Sequence, residues 1–303
     1  MSVAVTWLKR VLVTGASGLL GCRLVEVLSE KYDVIPTHNT HSLQPNSTRM
    51  DVVDRGLVFK VLKNFRPSAV VHTAAETNVD KCERDKVWAC RVNVEGTRNV
   101  AEGCMKIGVK LIYVSTDYVF DGEKGLYSED DNPSPINHYG LTKLEGERAV
   151  QESGGEYVIA RASVLYGWHP RKLNFATWVI DSLRSGKRIN VVDDHYNSPT
   201  HADNLAEMIL AVLKKDLSGV YHAAGGERVS RYGFAIRLAD IFELNKSLII
   251  PVSMDDLTTW VARRPRDSSL STDKITRDTG VQALNLNEAL KILKNSAIGT
   301  GPE

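Results

Sequence analysis

The sequence predicts an α/β protein, a doubly wound parallel sheet joined to a smaller C-terminal region. Three observations carry that expectation. Short β-branched runs alternate with helical patterns through the first half, the mark of repeated βαβ units. A glycine-rich turn, Gly15-x-x-Gly18-x-x-Gly21, falls between the first such run and the first helical pattern. Beyond Tyr166 the rhythm turns irregular, and Pro170, Pro199, Pro251 and Pro265 enter the loops.

Taken in order, Arg-Val-Leu-Val-Thr at 10–14 reads as the first strand. A helix is expected over 18–31, where Leu20, Leu24, Val27 and Leu28 recur on one face. Residues 33–36 begin strand two. Ala-Val-Val-His at 69–72 reads as a buried strand, followed by a long helix over 86–107. The next strand, 109–114, delivers Ser115 and Thr116 at its carboxyl end. A helix from Tyr139 to Glu152 and a strand over 156–161 complete the core. In the second half, helices are expected at 174–185, 202–214 and 230–242, with short strands at 189–192 and 220–223. The expected division is 1–165 for the core and 166–303 for a mainly substrate-covering region, some of whose segments return to the core.

At 303 residues the chain has room for a large core, and 43% hydrophobic with 25% charged residues is the balance of a soluble globular protein. A net charge of +1 supplies no field that would draw it to nucleic acid or to acidic membranes. No apolar run approaches the roughly 18–20 residues of a spanning helix. Met1 to Lys9 lacks the apolar core and cleavage site of a secretory leader, so a cytoplasmic location is expected. Cys22, Cys82, Cys90 and Cys104 form no Cys-x-x-Cys pair and read as reduced thiols. The histidines show no ligand spacing, and no metal is expected.

The glycine turn permits a tight bend and close approach of backbone to a pyrophosphate, and the helix behind it offers free N–H groups and positive potential. Dinucleotide binding is expected there. An acid at the end of strand two would bond the ribose 2′-hydroxyl of NAD. That position reads Thr37-His38-Asn39-Thr40, with neither an acid nor an arginine for a 2′-phosphate. The missing acid favours NADPH over NADH. Asp51-Val52 suits the adenine amino group, and Asp51 reads equally well as a cap or loop aspartate.

Tyr139 and Lys143 stand four apart, a spacing that puts both side chains on one helix face. A phenol ionises near pH 10, and a fixed ammonium nearby favours the phenolate. The pair is expected to exchange a proton with a substrate hydroxyl or carbonyl. Thr116 and Asp117 follow the carboxyl end of a parallel strand, where such sheets place their sites.

Together these motifs resemble the extended short-chain dehydrogenase/reductases. The pieces are the glycine turn, Asp51-Val52, His72-Thr73-Ala74-Ala75, Asn93-Val94-x-Gly96-Thr97, Ser115-Thr116 and Tyr139-x-x-x-Lys143. Within that group the chain is similar to the dTDP-4-dehydrorhamnose reductase family. The likeness lies in Val79-Asp80-Lys81-Cys82-Glu83, Ser115-Thr116-Asp117-Tyr118-Val119-Phe120-Asp121-Gly122 and Tyr139-Gly140-x-Thr142-Lys143-x-x-Gly146-Glu147. Tyr196-x-x-Pro199-Thr200 and Arg263-Arg264-Pro265 add to it.

The resemblance implies a Rossmann-like core carrying NAD(P)H and the reduction, at C4, of a nucleotide-linked keto sugar, with dTDP-4-dehydro-L-rhamnose the leading substrate. It implies that Thr116 bonds the carbonyl and that Tyr139 donates the proton. Lys143 would lower the Tyr139 pKa and hold the nicotinamide ribose. Cofactor contacts are implied for Gly15, Ser17, Gly18, Leu19, Leu20, Gly21, His38, Asn39, Asp51, Val52, Thr73, Ala74, Ala75 and Asn93, with Tyr139 and Lys143. Asp117, Tyr118, Val164, Asn174 and Arg264 are implied at the sugar nucleotide, a structural role being as good a reading for Asn174 and Arg264.

Reductases of this group often carry a tryptophan where this chain has Val164, which removes aromatic stacking and reshapes the sugar pocket. Trp168 is near enough in sequence to replace it. Two other readings remain. An epimerase or dehydratase would regenerate its cofactor in each turnover, but dehydratases usually follow the threonine with Asp-Glu, not Asp117-Tyr118. The regulatory β subunit of methionine adenosyltransferase is also similar to these reductases, and under that reading an adenosyltransferase is the partner. Pairing into a homodimer is open on either reading.

Overall fold

The computed structural model describes residues 8–297. Its central sheet contains β1 (Arg10–Thr14), β2 (Asp33–His38), β3 (Thr48–Arg49), β4 (Ala69–His72), β5 (Lys110–Thr116), β6 (Tyr157–Ala162) and β11 (Gly219–His222). The strand order is β11-β6-β5-β4-β1-β2-β3, and every neighbouring pair is parallel. Chain direction across the sheet reverses between β1 and β4, so the crevice beyond their carboxyl ends is where a ligand fits.

Alternation along the strands divides the core in two. Val11, Val13, Val71 and Ile112 pack under α1 (Leu19–Ser29) and α8 (Ala202–Lys214). Leu12, Val70, Leu111 and Tyr113 pack under α2 (Arg55–Phe65), α5 (Gly96–Ile107) and α6 (His138–Glu152). A third core, around Tyr166, Phe234, Leu238 and Leu290, lies off the sheet, among α7 (Phe175–Arg184), α9 (Arg231–Ile241) and α11 (Leu286–Ala297). Three short strand pairs brace this part: β7 (Leu165–Tyr166) with β10 (Thr200–His201), β8 (Ile189–Val192) with β13 (Ile249–Val252), and β9 (Tyr196–Asn197) with β12 (Val229–Ser230). A last short helix, α10 (Asp273–Thr279), packs against α8 and β11.

Two departures from expectation bear on the site. Between 37 and 68, where no regular element is expected beyond strand two, the chain forms β3 and α2. In that register Arg49 stands opposite His38, which brings an exposed guanidinium to the end of β2. The long helix expected over 86–107 is broken. Two short helices, α3 (Val79–Arg84) and α4 (Lys86–Cys90), precede a π turn over Arg91–Glu95, and α5 follows. The Thr97 hydroxyl enters the helical ladder there, donating to the Asn93 carbonyl at 2.7 Å.

Helix α6 packs close against β5 and the turn after it because two of its positions carry no side chain. A methyl on Gly140 would sit 2.0 Å from the Tyr118 carbonyl oxygen, and one on Gly146 would sit 2.3 Å from the Tyr113 hydroxyl. Gly146→Ala is therefore expected to lower stability by about 1–3 kcal/mol, the usual cost of overpacking. Gly56→Ala in α2, where a methyl meets only Asp54 Oδ1 at 3.4 Å, should be neutral or stabilising. Equilibrium unfolding in urea compares the two.

Candidate active site

A cleft of about 940 Å³ opens at the carboxyl ends of β1, β4 and β5. Gly15, Ser17, Gly18, Leu19, Leu20 and Gly21 line one end of it, with His38, Asn39, Asp51, Val52, Thr73, Ala74 and Ala75. Gly15 adopts φ +65°, and a Cβ there would meet the Ala74 nitrogen at 2.8 Å. Gly18 caps α1 without a side-chain bond, so the N–H groups of the first turn are not taken by a cap. At Gly21 a Cβ would come within 2.2 Å of the Gly15 carbonyl oxygen, so its absence lets the helix seat on the turn. This bare, electropositive cradle fits a dinucleotide pyrophosphate. Asp51 Oδ1 accepts the Val53 N–H at 3.0 Å, while Asp54, not Asp51, caps α2.

A buried chain of hydrogen bonds supports the floor. Thr14 Oγ1 accepts the N–H groups of Thr73 (3.1 Å) and Ala74 (3.2 Å). Its own proton is left for His72 Nδ1 at 2.6 Å, and His72 Nε2–H then faces Thr97 Oγ1 at 3.2 Å. Burial, and secondarily the Lys143 charge, push the His72 pKa down to about 3, so the ring is neutral. Asn93 belongs to this support. It is fully buried, its side chain bonding both the N–H (2.8 Å) and the carbonyl (3.1 Å) of Glu76, and Thr142 Oγ1 (3.0 Å). It lies outside the cleft lining, a place that its expected cofactor contact does not anticipate.

At the other end, Thr116, Tyr139 and Lys143 share the cleft wall. Asn137 caps α6 through the Gly140 N–H at 2.8 Å. Lys143 Nζ donates to the Val114 carbonyl at 2.8 Å and lies 4.1 Å from the Tyr113 ring centre. Around Tyr139, burial sets the direction of the pKa shift. Burial raises the phenol pKa well above 10, opposed by the Thr116 hydroxyl and reinforced by Asp117. Burial also pushes Lys143 down to about 7, opposed by Glu147. Desolvation disfavours both charged forms.

One turn beyond Lys143, Glu147 forms a buried two-pronged ion pair with Arg161 on β6 (2.8 and 3.0 Å) and accepts the Ser115 hydroxyl at 2.5 Å. Asp117 is a second buried node. Its carboxylate accepts from Thr116 (3.1 Å), Ser163 (2.9 Å), Ser268 (2.5 Å) and Asn197 (3.4 Å), which leaves it turned into the protein at the cleft wall. Tyr118 meets Tyr139 edge-on, with ring centres 5.9 Å apart.

Val164 lines the cleft with φ +40°, a strained conformation for a β-branched residue. Trp168 does not replace the missing tryptophan: its indole N–H bonds the Leu293 carbonyl at 2.8 Å and its ring packs in the third core. Trp88 on α4 supplies an aromatic side chain to the lining instead. Asn174 reaches the cleft, but its side chain caps α7 and bonds the Gly167 carbonyl at 2.7 Å. Arg264 lies outside the lining, paired with Asp80 at 3.0 Å. Trp88 and Arg231 both line the cleft and were not among the expected residues. No local motif marks either one, since each comes from a helix remote in sequence.

A model of the RmlD substrate binding domain matches residues 9–297. The chain belongs to that family. A dTDP-4-dehydrorhamnose reductase of Aggregatibacter actinomycetemcomitans is 31% identical over 94% of this chain and 98% of its own length. The methionine adenosyltransferase 2 subunit beta of Bos taurus is 35% identical over 88% of this chain and 81% of that protein. The crystal structure of the Bacillus anthracis dTDP-4-dehydrorhamnose reductase in complex with NADP superposes with a TM-score of 0.87. It is 33% identical over 95% of this chain and 99% of that one. The α/β Rossmann-like fold and the place among nicotinamide-dependent oxidoreductases are therefore those of the family. Among the described residues no helix is long and apolar enough to cross a membrane, and no group of three or more His, Cys, Asp or Glu side chains is arranged to hold a metal.

The Lys143 shift has a thermodynamic consequence. Between about pH 7 and 10.5 the unfolded chain keeps a proton that native Lys143 has released. Stability from this group is thus complete above 10.5 and is lost as pH falls through 7. Unfolding free energies at pH 7 and pH 9.5 should rise more with pH in the wild type than in Lys143→Met.

Proposed function

We propose that the chain is an NADPH-dependent reductase of the C4 keto group of a nucleotide-linked deoxysugar, with dTDP-4-dehydro-L-rhamnose the leading substrate. The observation that carries this reading is a proton donor, a carbonyl-bonding hydroxyl and a dinucleotide cradle at one cleft. A bound nicotinamide supplies the hydride. Negative charge then develops on the carbonyl oxygen, where Tyr139 transfers its proton and the Thr116 hydroxyl, turning from Asp117, donates a hydrogen bond. Burial keeps Tyr139 protonated until that charge appears, which is the state a reduction needs. Lys143 favours proton departure and is placed to hold the ribose. Residues 1–165 hold mainly the cofactor and 166–303 mainly the sugar nucleotide, with Tyr118 and Val164 at the sugar. The four thiols, free and half-buried or buried, suit the cytoplasm.

The preference for NADPH is supported by the absence of an acid at the end of β2 and by Arg49 beside His38. A second reading, a regulatory subunit bound to a methionine adenosyltransferase, is favoured by the likeness to the Bos taurus subunit. Co-purification with an adenosyltransferase, together with no turnover of any keto-sugar nucleotide, would establish it over the reductase.

In an NADPH-oxidation assay with nucleotide-linked 4-keto sugars, Tyr139→Phe should lose about 10²- to 10⁴-fold in kcat while NADPH binding, followed by nicotinamide fluorescence, is retained. Full activity in that variant would sink the assignment. Arg49→Gln should raise KM for NADPH and leave KM for NADH unchanged.

A further inference from the structure

Of the cations lining the cleft that the proposed reduction does not use, Arg171 and Lys172 are exposed at the rim, whereas Arg231 is half-buried in the wall. Arg231 opens α9, its backbone N–H bonded to the His195 carbonyl at 2.9 Å. Its guanidinium lies 5.0 Å from the Phe175 ring centre, and Tyr118 is among the groups that act on its charge. It lines the cleft together with Tyr118, Val164 and Asn174. Arg264 is nearby, but its charge is matched by Asp80 at 3.0 Å. Arg231 has no such carboxylate among the described residues, for Asp117, the acid that acts on its charge, has its oxygens taken by Thr116, Ser163, Asn197 and Ser268.

A guanidinium stays protonated in proteins, and one half-removed from water without a counter-ion is unfavourable. Here it stands at a cleft wall, within reach of a ligand. The surrounding potential is positive: burial, then Arg231 and Arg264, push His195 well below the ordinary imidazole range, so that ring is neutral. Ser230 caps α9 through the Gly233 N–H at 3.0 Å, which places Arg231 in the first turn, where the helix dipole also favours an anion.

We propose that Arg231 is the anion-recognition residue of the substrate pocket, and that it takes the diphosphate linking nucleotide to sugar. This rests on the sugar-nucleotide reading above. The planar fork of a guanidinium matches phosphate oxygens two at a time. The cofactor's phosphates have their own cradle at the glycine turn on β1. Arg231 shares the cleft wall with Tyr118, whose ring meets Tyr139 at 5.9 Å, so an anion on Arg231 and a carbonyl at Tyr139 belong to adjacent parts of one ligand.

Calorimetric titration of dTDP and of thymidine into protein saturated with NADP⁺ tests this, using wild type, Arg231→Gln and Arg231→Lys. Arg231→Gln should weaken dTDP on the order of 10- to 100-fold, leave thymidine and NADP⁺ affinities unchanged, and raise KM for a keto-sugar nucleotide with little change in kcat. Arg231→Lys, which keeps the charge without the fork, should fall between. Equal dTDP affinity in all three proteins, or no dTDP binding by the wild type, overturns the assignment. A wild type that binds dTDP through Arg231 yet reduces no keto sugar supports the anion site and sinks the reductase reading alone. Should Arg231→Gln melt early, the Lys variant carries the test through its ratio of dTDP to thymidine affinity. An unchanged ratio counts against the proposal.

Discussion

The depth at which α6 meets the sheet governs the site, and the buried Glu147–Arg161 pair fixes it. Tyr139, Lys143 and Glu147 follow one another at four-residue steps on a single helical stripe. Clamping Glu147 to β6 and to Ser115 on β5 therefore sets where the other two side chains emerge. The approach is possible only because Gly140 and Gly146 leave room for the Tyr118 carbonyl and the Tyr113 hydroxyl. Such a pair adds little net stability, since desolvating two charges offsets most of their attraction. What it supplies is registry.

Burial also decides the electrostatics. The same close packing that aligns the phenol and the ammonium removes both from water, raising one pKa and lowering the other. The site therefore holds its proton on the phenol and responds to charge that develops in the cleft. A neutral His72 beneath the floor fits this economy of charge. It orders Thr14 and the Thr73–Ala74 backbone through hydrogen bonds and adds no second cation beside Lys143.

Much of this was legible in the sequence where function and local pattern coincide. The glycine turn stands between a strand and a helix, and Tyr139, Lys143 and Thr116 follow the periodicity of their elements; the structure brings all of them to one cleft. Val164 stood out because a family pattern calls for a tryptophan there. What was not legible depends on distant chain segments. Arg49 becomes relevant only through the β2–β3 register, and β3 is too short to leave a pattern. Arg231 and Trp88 enter the cleft from helices far away in sequence. Asn93 carries a family signature, yet the π turn directs it under the floor. The direction of the Tyr139 shift could not be read from spacing at all, because spacing gives proximity and not burial.

The Asp117 carboxylate joins segments from four parts of the chain: the end of β5, the residue after β6, β9 and the loop at Ser268. The pocket's loops are consequently not modular. A loop transplanted from a relative would have to bring its own donor to that carboxylate, or leave a buried acid short of a partner. New substrate preferences in this scaffold are thus most accessible through side chains that reach the cleft without touching the node, and Val164, Trp88 and Leu173 are three of them. Diversity can accumulate at the rim while the hub stays fixed.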